Sequence, residues 1–86
     1  MRVVVVYKEH TDYARQVIDY MADFKRQTGH DLEFLDPESP AGVDFTQMYD
    51  IMQLPMIIAV SDEGVMQNMW QGLPLPTISE VSYYVQ

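Results

Sequence analysis

The sequence predicts an α/β domain in which helices cover one mixed sheet, and three observations support this. Residues 3–7 and 56–60 are continuously apolar, as in strands buried on both faces. An amphipathic helix follows the first run, which makes the next strand parallel to it through a right-handed crossover. Residues 61–64 indicate a tight turn into an antiparallel strand. The predicted order is strand, helix, strand, helix, strand, strand, helix, in a single domain over residues 1–86.

Apolar residues at helical spacing predict the first helix. They recur every three or four positions at Tyr13, Val17, Met21 and Phe24. Either Thr11 or Asp12 is expected to cap the N-terminus of this helix with its side chain. Gly29 is expected to end the helix in the left-handed conformation.

The second strand and second helix are shorter in the sequence pattern. Residues 31–36 alternate between polar and apolar, which predicts a short outer strand. Prolines and a glycine then interrupt regular structure, and Asp44 with Gln47 resembles a capping box that opens the second helix. The residues expected on its buried face are Phe45, Met48 and Met52. The helix must end before Pro55, because the residue before a proline is excluded from the helical region.

The last two elements follow the tight turn. Residues 65–71 are the predicted antiparallel partner of the strand at 56–60. Thr77 and Glu80 have the spacing of a capping box, and apolar residues recur behind them at helical intervals. A short helix is therefore expected near the C-terminus.

The composition excludes several classes of function. The chain has no cysteine, so thiol chemistry, disulfides and cysteine-ligated metals are ruled out. Five basic residues face 13 acidic ones, and the formal net charge of −8 disfavours both nucleic acid and anionic membranes as partners. The two histidines, His10 and His30, are far apart, so neither a metal site nor a cofactor is predicted. The apolar run at 3–6 is too short for a signal peptide or a membrane span, and a cytoplasmic location is expected.

Three short segments, at 52–60, 62–64 and 70–72, together resemble a known superfamily. The run Met-Gln-Leu-Pro-Met-Ile-Ile-Ala-Val at 52–60 is similar to the segment of thioredoxins and glutaredoxins where the cis proline of that family opens the third strand. Asp-Glu-Gly at 62–64 and Trp-Gln-Gly at 70–72 resemble its hairpin turn and the glycine after its fourth strand. The resemblance implies a glutaredoxin-type three-layer sandwich, with a four-stranded mixed sheet, helices on both faces and a cis Leu54–Pro55 bond.

The sequence departs from this family at its redox motif. The two cysteines of the family's Cys-x-x-Cys motif would align with Thr11 and Ala14, with Asp12 and Tyr13 between them. A threonine hydroxyl stays protonated far above neutral pH and forms no reversible bond to sulfur, so it cannot replace a thiolate. Dithiol–disulfide exchange by the family mechanism is therefore excluded.

The groove around the lost motif remains a candidate binding site. In the family, the backbone before the cis proline pairs with an extended substrate chain, and the corresponding residue here is Leu54. The predicted groove residues are Tyr7, His10, Leu54, Pro55, Met56 and Gly72. Main-chain pairing can bind a peptide without any thiol. The resemblance thus implies a non-enzymatic module that binds a protein or peptide partner.

Two alternatives stay open at this point. Glutathione transferases, which share this fold, place a tyrosine at the end of the first strand, so Tyr7, Thr11 or His10 could serve a glutathione-binding enzyme or sensor. The N-terminus of the first helix would attract the anionic ligand. The other alternative is a chain that assembles through its helices or its sheet edge without using the groove.

Overall fold

The structure is a computed structural model and describes residues 1–85. It contains the predicted elements in the predicted order: β1 (Arg2–Val6), α1 (Ala14–Thr28), β2 (Glu33–Leu35), α2 (Pro40–Met48), β3 (Met56–Val60), β4 (Met66–Gln71) and α3 (Ile78–Ser82). The order β1-α1-β2-α2-β3-β4-α3 confirms the predicted topology.

The four strands form one mixed sheet in the order β2-β1-β3-β4. β1 and β2 are parallel, as the crossover through α1 requires. β3 lies antiparallel to both β1 and β4. The two central strands are therefore the two continuously apolar runs of the sequence, and the outer strands are the more polar ones.

Strand alternation divides the core into two layers. On one face, Val3, Val5 and Ile57 pack with the buried side of α1 and with Val81 of α3. On the other face, Val4 and its neighbours pack with residues of α2. The buried strand residues of that second face are Val4, Val6, Met56, Ile58 and Val60. α1 and α3 therefore cover one face and α2 the other, which confirms the three-layer arrangement.

The two ends of α1 differ in how well they match the prediction. Neither Thr11 nor Asp12 caps the helix, because the N-cap residue is Tyr13 and makes no side-chain capping bond. The Thr11 hydroxyl instead donates a hydrogen bond to the Lys8 carbonyl oxygen at 2.8 Å. At the C-terminus, Gly29 has φ 78° and donates its N–H to the Lys25 carbonyl oxygen, as predicted.

The start of α2 differs from the prediction. The helix begins at Pro40, four residues before Asp44, and Ser39 is its N-cap, with Oγ accepting a hydrogen bond from the Gly42 N–H at 3.0 Å. Proline lacks only an N–H that would have no helical partner in the first turn, so it opens a helix rather than breaking one. A serine before a proline therefore marks this helix start.

The prediction that Met48 and Met52 are buried is wrong. α2 ends at Met48, and the side chains of Met48 and Met52 are 71% and 81% exposed. Residues after Met48 lie outside the helix, so helical spacing does not predict which of them are buried. Phe45 is half-buried and contacts the second core layer, as predicted.

The last part of the chain matches its sequence signals. Gly64, with φ 86°, closes the turn between β3 and β4 by donating its N–H to the Ser61 carbonyl oxygen. Thr77 and Glu80 form a complete capping box at the start of α3. Within residues 1–85, no helix combines the length and the apolar character needed to cross a membrane.

β4 is an edge strand of the sheet, and one of its own side chains bonds a backbone N–H that faces away from β3. The Gly72 N–H is directed towards β3, where it bonds the Pro55 carbonyl oxygen, so by alternation the Met69 N–H faces away from β3. The Asn68 side-chain oxygen accepts a hydrogen bond from that Met69 N–H at 2.8 Å. The Asn68 side-chain nitrogen donates to the Tyr84 hydroxyl at 3.1 Å, which holds the amide in this orientation.

Candidate functional site

Three chain segments meet at one end of the sheet because of the strand directions. β1 ends at Val6, which pairs with Met56 at the start of β3. Met56 in turn pairs with Gln71, the last residue of β4. The segment leaving β1, the segment entering β3 and the segment leaving β4 therefore lie at the same end. We call residues 7–14, 52–55 and 72–73 the sheet-end site.

Direct bonds join the second and third segments. The Gly72 N–H donates to the Pro55 carbonyl oxygen at 2.8 Å, and the Met52 N–H donates to Gln71 Oε1 at 3.4 Å. Gly72 has φ 74°, and a Cβ on it would lie 2.8 Å from Gln53 Nε2. The backbone conformation favours glycine here, whereas the close contact is with the end of the flexible Gln53 side chain, which can move aside. The structure thus brings the cis-proline segment and Gly72 into direct contact.

The four positions aligned with the redox motif form a turn that leads into α1. Thr11 is half-buried, and its hydroxyl is used in the bond to Lys8. The Lys8 N–H donates to the Tyr13 hydroxyl oxygen at 3.2 Å, which fixes the side chain of the N-cap residue. Asp12 is exposed, and Ala14 is buried as the first residue of the helix. No thiol is present, so this turn cannot exchange disulfides.

The predicted groove residues differ in how accessible they are. His10 is exposed and has φ 62°, a left-handed conformation in the turn. Leu54 is half-buried and is joined to the buried Pro55 by a cis peptide bond. Met56 is fully buried in the second core layer, so its side chain cannot contact a ligand at the surface.

Tyr7 is also a core residue. Its side chain is only 6% exposed, and its ring lies 4.7 Å from that of Phe34. Burial raises the pKa of the Tyr7 hydroxyl, and the nearby charge of Glu9 raises it further. A phenol in this environment is hard to ionise and offers little surface to a small ligand.

Two apolar residues at the site were not predicted to be part of it. Met52 is exposed next to the Leu54–Pro55 segment, and Leu73, also exposed, directly follows Gly72. Together with the half-buried Leu54 they give the site an apolar rim. Helical spacing had assigned Met52 to the core, and no local pattern distinguishes Leu73 from a core residue.

The site offers main-chain and apolar contacts rather than reactive groups. Among residues 1–85, no group of three or more His, Asp or Glu side chains is arranged to hold a metal ion. Gly72 and the cis-proline segment are fixed by hydrogen bonds, and the rim is apolar. This arrangement suits the binding of a chain segment better than acid–base or metal chemistry.

Comparison with known proteins shows a likeness of the fold to solved structures. No protein-family model matches this chain, and no curated protein matches it in sequence. The structure of thioredoxin 1 from the thermophilic eubacterium Thermosipho africanus TCF52B matches with a TM-score of 0.66 and 13% identity, covering 99% of this chain and 90% of that one. A malarial protein of known structure also has a TM-score of 0.66, with 11% identity over 96% of this chain and 90% of its own. At sequence identities this low, the likeness shows only that the fold is shared.

Proposed function

We propose that this cysteine-free chain of the thioredoxin-like fold is a non-enzymatic binding module that takes up an extended protein segment at the sheet-end site. The fold and the missing cysteines are shown by the structural likeness and the sequence, and they argue against dithiol oxidoreductase activity. Neither the fold nor the absence of cysteine shows a binding function, which is what we propose. It rests on the free main chain of one residue, Leu54.

The unpaired main chain of Leu54 carries the proposal. Among residues 1–85, neither the N–H nor the C=O of Leu54 takes part in any hydrogen bond. The next residue, Pro55, is buried, and its carbonyl oxygen is held by Gly72. A fixed backbone with a free donor and acceptor is what an extended peptide needs for strand-like pairing.

The apolar rim would add side-chain contacts to this pairing. Met52 lies two residues before Leu54, Leu73 follows the Gly72 that bonds Pro55, and both are exposed. Methionine is unbranched and adapts to partners of different shape. The expected partner is therefore an extended segment with at least one apolar side chain.

The glutathione alternative has less support at this site. Tyr7 is buried with a raised pKa, and the Thr11 hydroxyl already donates to Lys8. In its favour, the α1 N-terminus has no side-chain cap and no acidic residue in its first turn. Reduced glutathione therefore belongs in the test as a separate ligand.

The proposal is tested by panning a displayed library of random peptides against the folded protein and titrating the enriched peptides into labelled protein, observed by NMR. We expect shifts of the Leu54, Gly72 and Leu73 amides. Met52→Ala should weaken binding about fivefold through lost apolar contact. Met48→Ala, a matched exposed methionine on α2, should leave affinity unchanged.

Two results would overturn the proposal. In one, every enriched peptide shifts other regions and is insensitive to Met52→Ala. In the other, reduced glutathione shifts residues 11–14 at millimolar concentration while no peptide binds, which would establish the alternative.

A further inference from the structure

A second concave surface lies beside α1 and adjoins the sheet-end site, with which it shares Asp12. It is an open groove of about 640 Å³ between the helix and the segment 74–76, whose sequence is Pro-Leu-Pro. Tyr20 lies in the groove, and its hydroxyl donates a long hydrogen bond of 3.4 Å to the Thr77 carbonyl oxygen. This bond ties the chain after the 74–76 segment to α1 and helps to hold the two walls in place.

The two walls of the groove differ in chemistry. The 74–76 segment and the Tyr20 ring form an apolar wall. The opposite wall carries three carboxylates, Asp12, Asp19 and Asp23, against one guanidinium, Arg15. The groove is thus acidic on one side and apolar on the other, within a chain whose formal net charge is −8.

Two of the carboxylates lie one helical turn apart on α1. Asp19 and Asp23 are four residues apart, which is about 6 Å along a helix axis. An extended peptide advances about 3.3 Å per residue, so this interval matches two residues of a bound chain, the spacing at which side chains point to the same face. Asp12 lies before the helix, in the turn that leads into it.

We propose that this groove binds an extended peptide segment that carries Lys or Arg side chains at alternate positions. The basic side chains pair with the three aspartates, and the aliphatic stems and intervening residues lie on the apolar wall. Charge complementarity selects the occupant, since only a basic segment can replace the chain's own arginines as the partner of these aspartates.

The chain's own Arg15 occupies part of the site in the unbound state. Arg15 Nε lies 3.5 Å from Asp19 Oδ1, and Arg26 pairs with Asp23. Both are exposed pairs, which exchange readily with another cation. A basic peptide must therefore displace Arg15 from Asp19. Removing Arg15 should then strengthen peptide binding, whereas removing the aspartates should weaken it.

The test uses a labelled eight-residue peptide of alternating Lys and Ala, with blocked ends, titrated into the full chain at about 0.15 M salt, where exposed charges are well screened. Asp19→Asn combined with Asp23→Asn should weaken binding about tenfold. The matched control is Glu38→Gln with Glu63→Gln, which removes the same charge from exposed positions outside the groove and should change affinity less than twofold by loss of long-range attraction.

A second pair of variants tests the displacement of Arg15. Arg15→Gln should strengthen binding about threefold, because Asp19 is then free for the peptide. Lys25→Gln, which removes a positive charge paired with Asp31 instead, should have a smaller effect. Shifts of the Asp19, Tyr20 and Leu75 amides should accompany binding, with Leu54 unchanged.

The proposal fails if the control pair weakens binding as much as the groove pair, which would mean attraction by net charge alone. It also fails if the peptide does not bind, or if it shifts only the sheet-end site. Binding at Leu54 and binding in the groove are read from different amides, so either proposal can fail without the other.

Discussion

At Gly42 the first turn of α2 passes so close to the preceding loop that only a hydrogen atom fits between them. A Cβ at this position would overlap the Asp36 carbonyl oxygen and lie 2.9 Å from Pro37 Cα. Both neighbours are backbone atoms, so they cannot move aside as a flexible side chain would.

Gly42→Ala should therefore lower the free energy of unfolding by about 3 kcal/mol, the upper range of overpacking costs. Gly29→Ala is the matched control, because Gly29 has open space around it and only its φ of 78° opposes a side chain. That variant should cost about 1 kcal/mol. Urea denaturation measures the free energy of unfolding of both variants. An equal decrease in the two would contradict the close approach at Gly42.

Tyr20 gives the protein a pH dependence at the alkaline end. Burial raises the pKa of Tyr20 to about 12, and the charge of Glu80 adds to the effect. The folded state therefore favours the neutral phenol. The stability that this contributes is fully present below the ordinary tyrosine pKa of about 10, and it is lost as the pH rises towards 12.

Tyr20→Phe should accordingly flatten the loss of stability above pH 10. Near pH 8 the variant should lose only about 0.5 kcal/mol, because the bond to Thr77 is long. Urea denaturation between pH 8 and about pH 11 measures both effects. Tyr83→Phe, at an exposed position, serves as the control and should follow the parent protein. Parallel curves for Tyr20→Phe and the parent would contradict the linkage.

Among the elements, α2 shows most clearly which sequence signal decides a helix start. Ser39 caps the helix through its bond from the Gly42 N–H, whereas Asp44 is an exposed residue inside it. Ser39→Ala should lower the free energy of unfolding by about 1 kcal/mol, the usual cost of a lost cap. Asp44→Ala should change it by less than about 0.5 kcal/mol. A larger loss from Asp44→Ala, measured by thermal or urea denaturation, would favour the helix start predicted from sequence.

The elements that the sequence predicts well are those whose burial leaves little choice. β3 has the predicted bounds, because a five-residue run that is apolar at every position and follows a proline is typical of a strand covered on both faces. The sequence signals place the start of α2 too late, because they mark Pro40 as a breaker although it opens the helix. They therefore assign Met48 and Met52 to a buried face that ends with the helix.

The sheet-end site and the groove beside α1 also differ in how far the sequence predicts them. The family resemblance implies that the cis-proline segment and Gly72 belong to one groove, and the strand directions of the structure bring the two together. The groove beside α1 could not be predicted, because it depends on where the 74–76 segment crosses the helix. In the sequence, Asp19 and Asp23 only mark the polar side of an amphipathic helix.

Across the whole molecule, the buried centre of the sheet should be the last part to open. β1 and β3 are paired on both sides and lie between two core layers, while β2 and β4 are edge strands. Amides exchange slowly where only global unfolding exposes them.

Native-state hydrogen exchange followed by NMR should therefore show the highest protection for residues 3–6 and 57–60. The amides of β2 should exchange faster by about two orders of magnitude or more, since a three-residue edge strand frays without global unfolding. Equal protection in β2 and β3 would contradict a sheet organised around its two central strands.

The side-chain amide of Asn68 affects how readily copies of this protein associate through the edge of the sheet. A free strand edge can act as a template on which another chain adds and a fibre grows. Here Asn68 occupies the outward Met69 N–H, and Tyr84 keeps it there, so an arriving strand finds one of its hydrogen-bonding positions already taken. β4 has neither a charged residue nor a proline to deter such growth. A single side-chain amide thus helps to keep crowded copies of the protein from joining edge to edge.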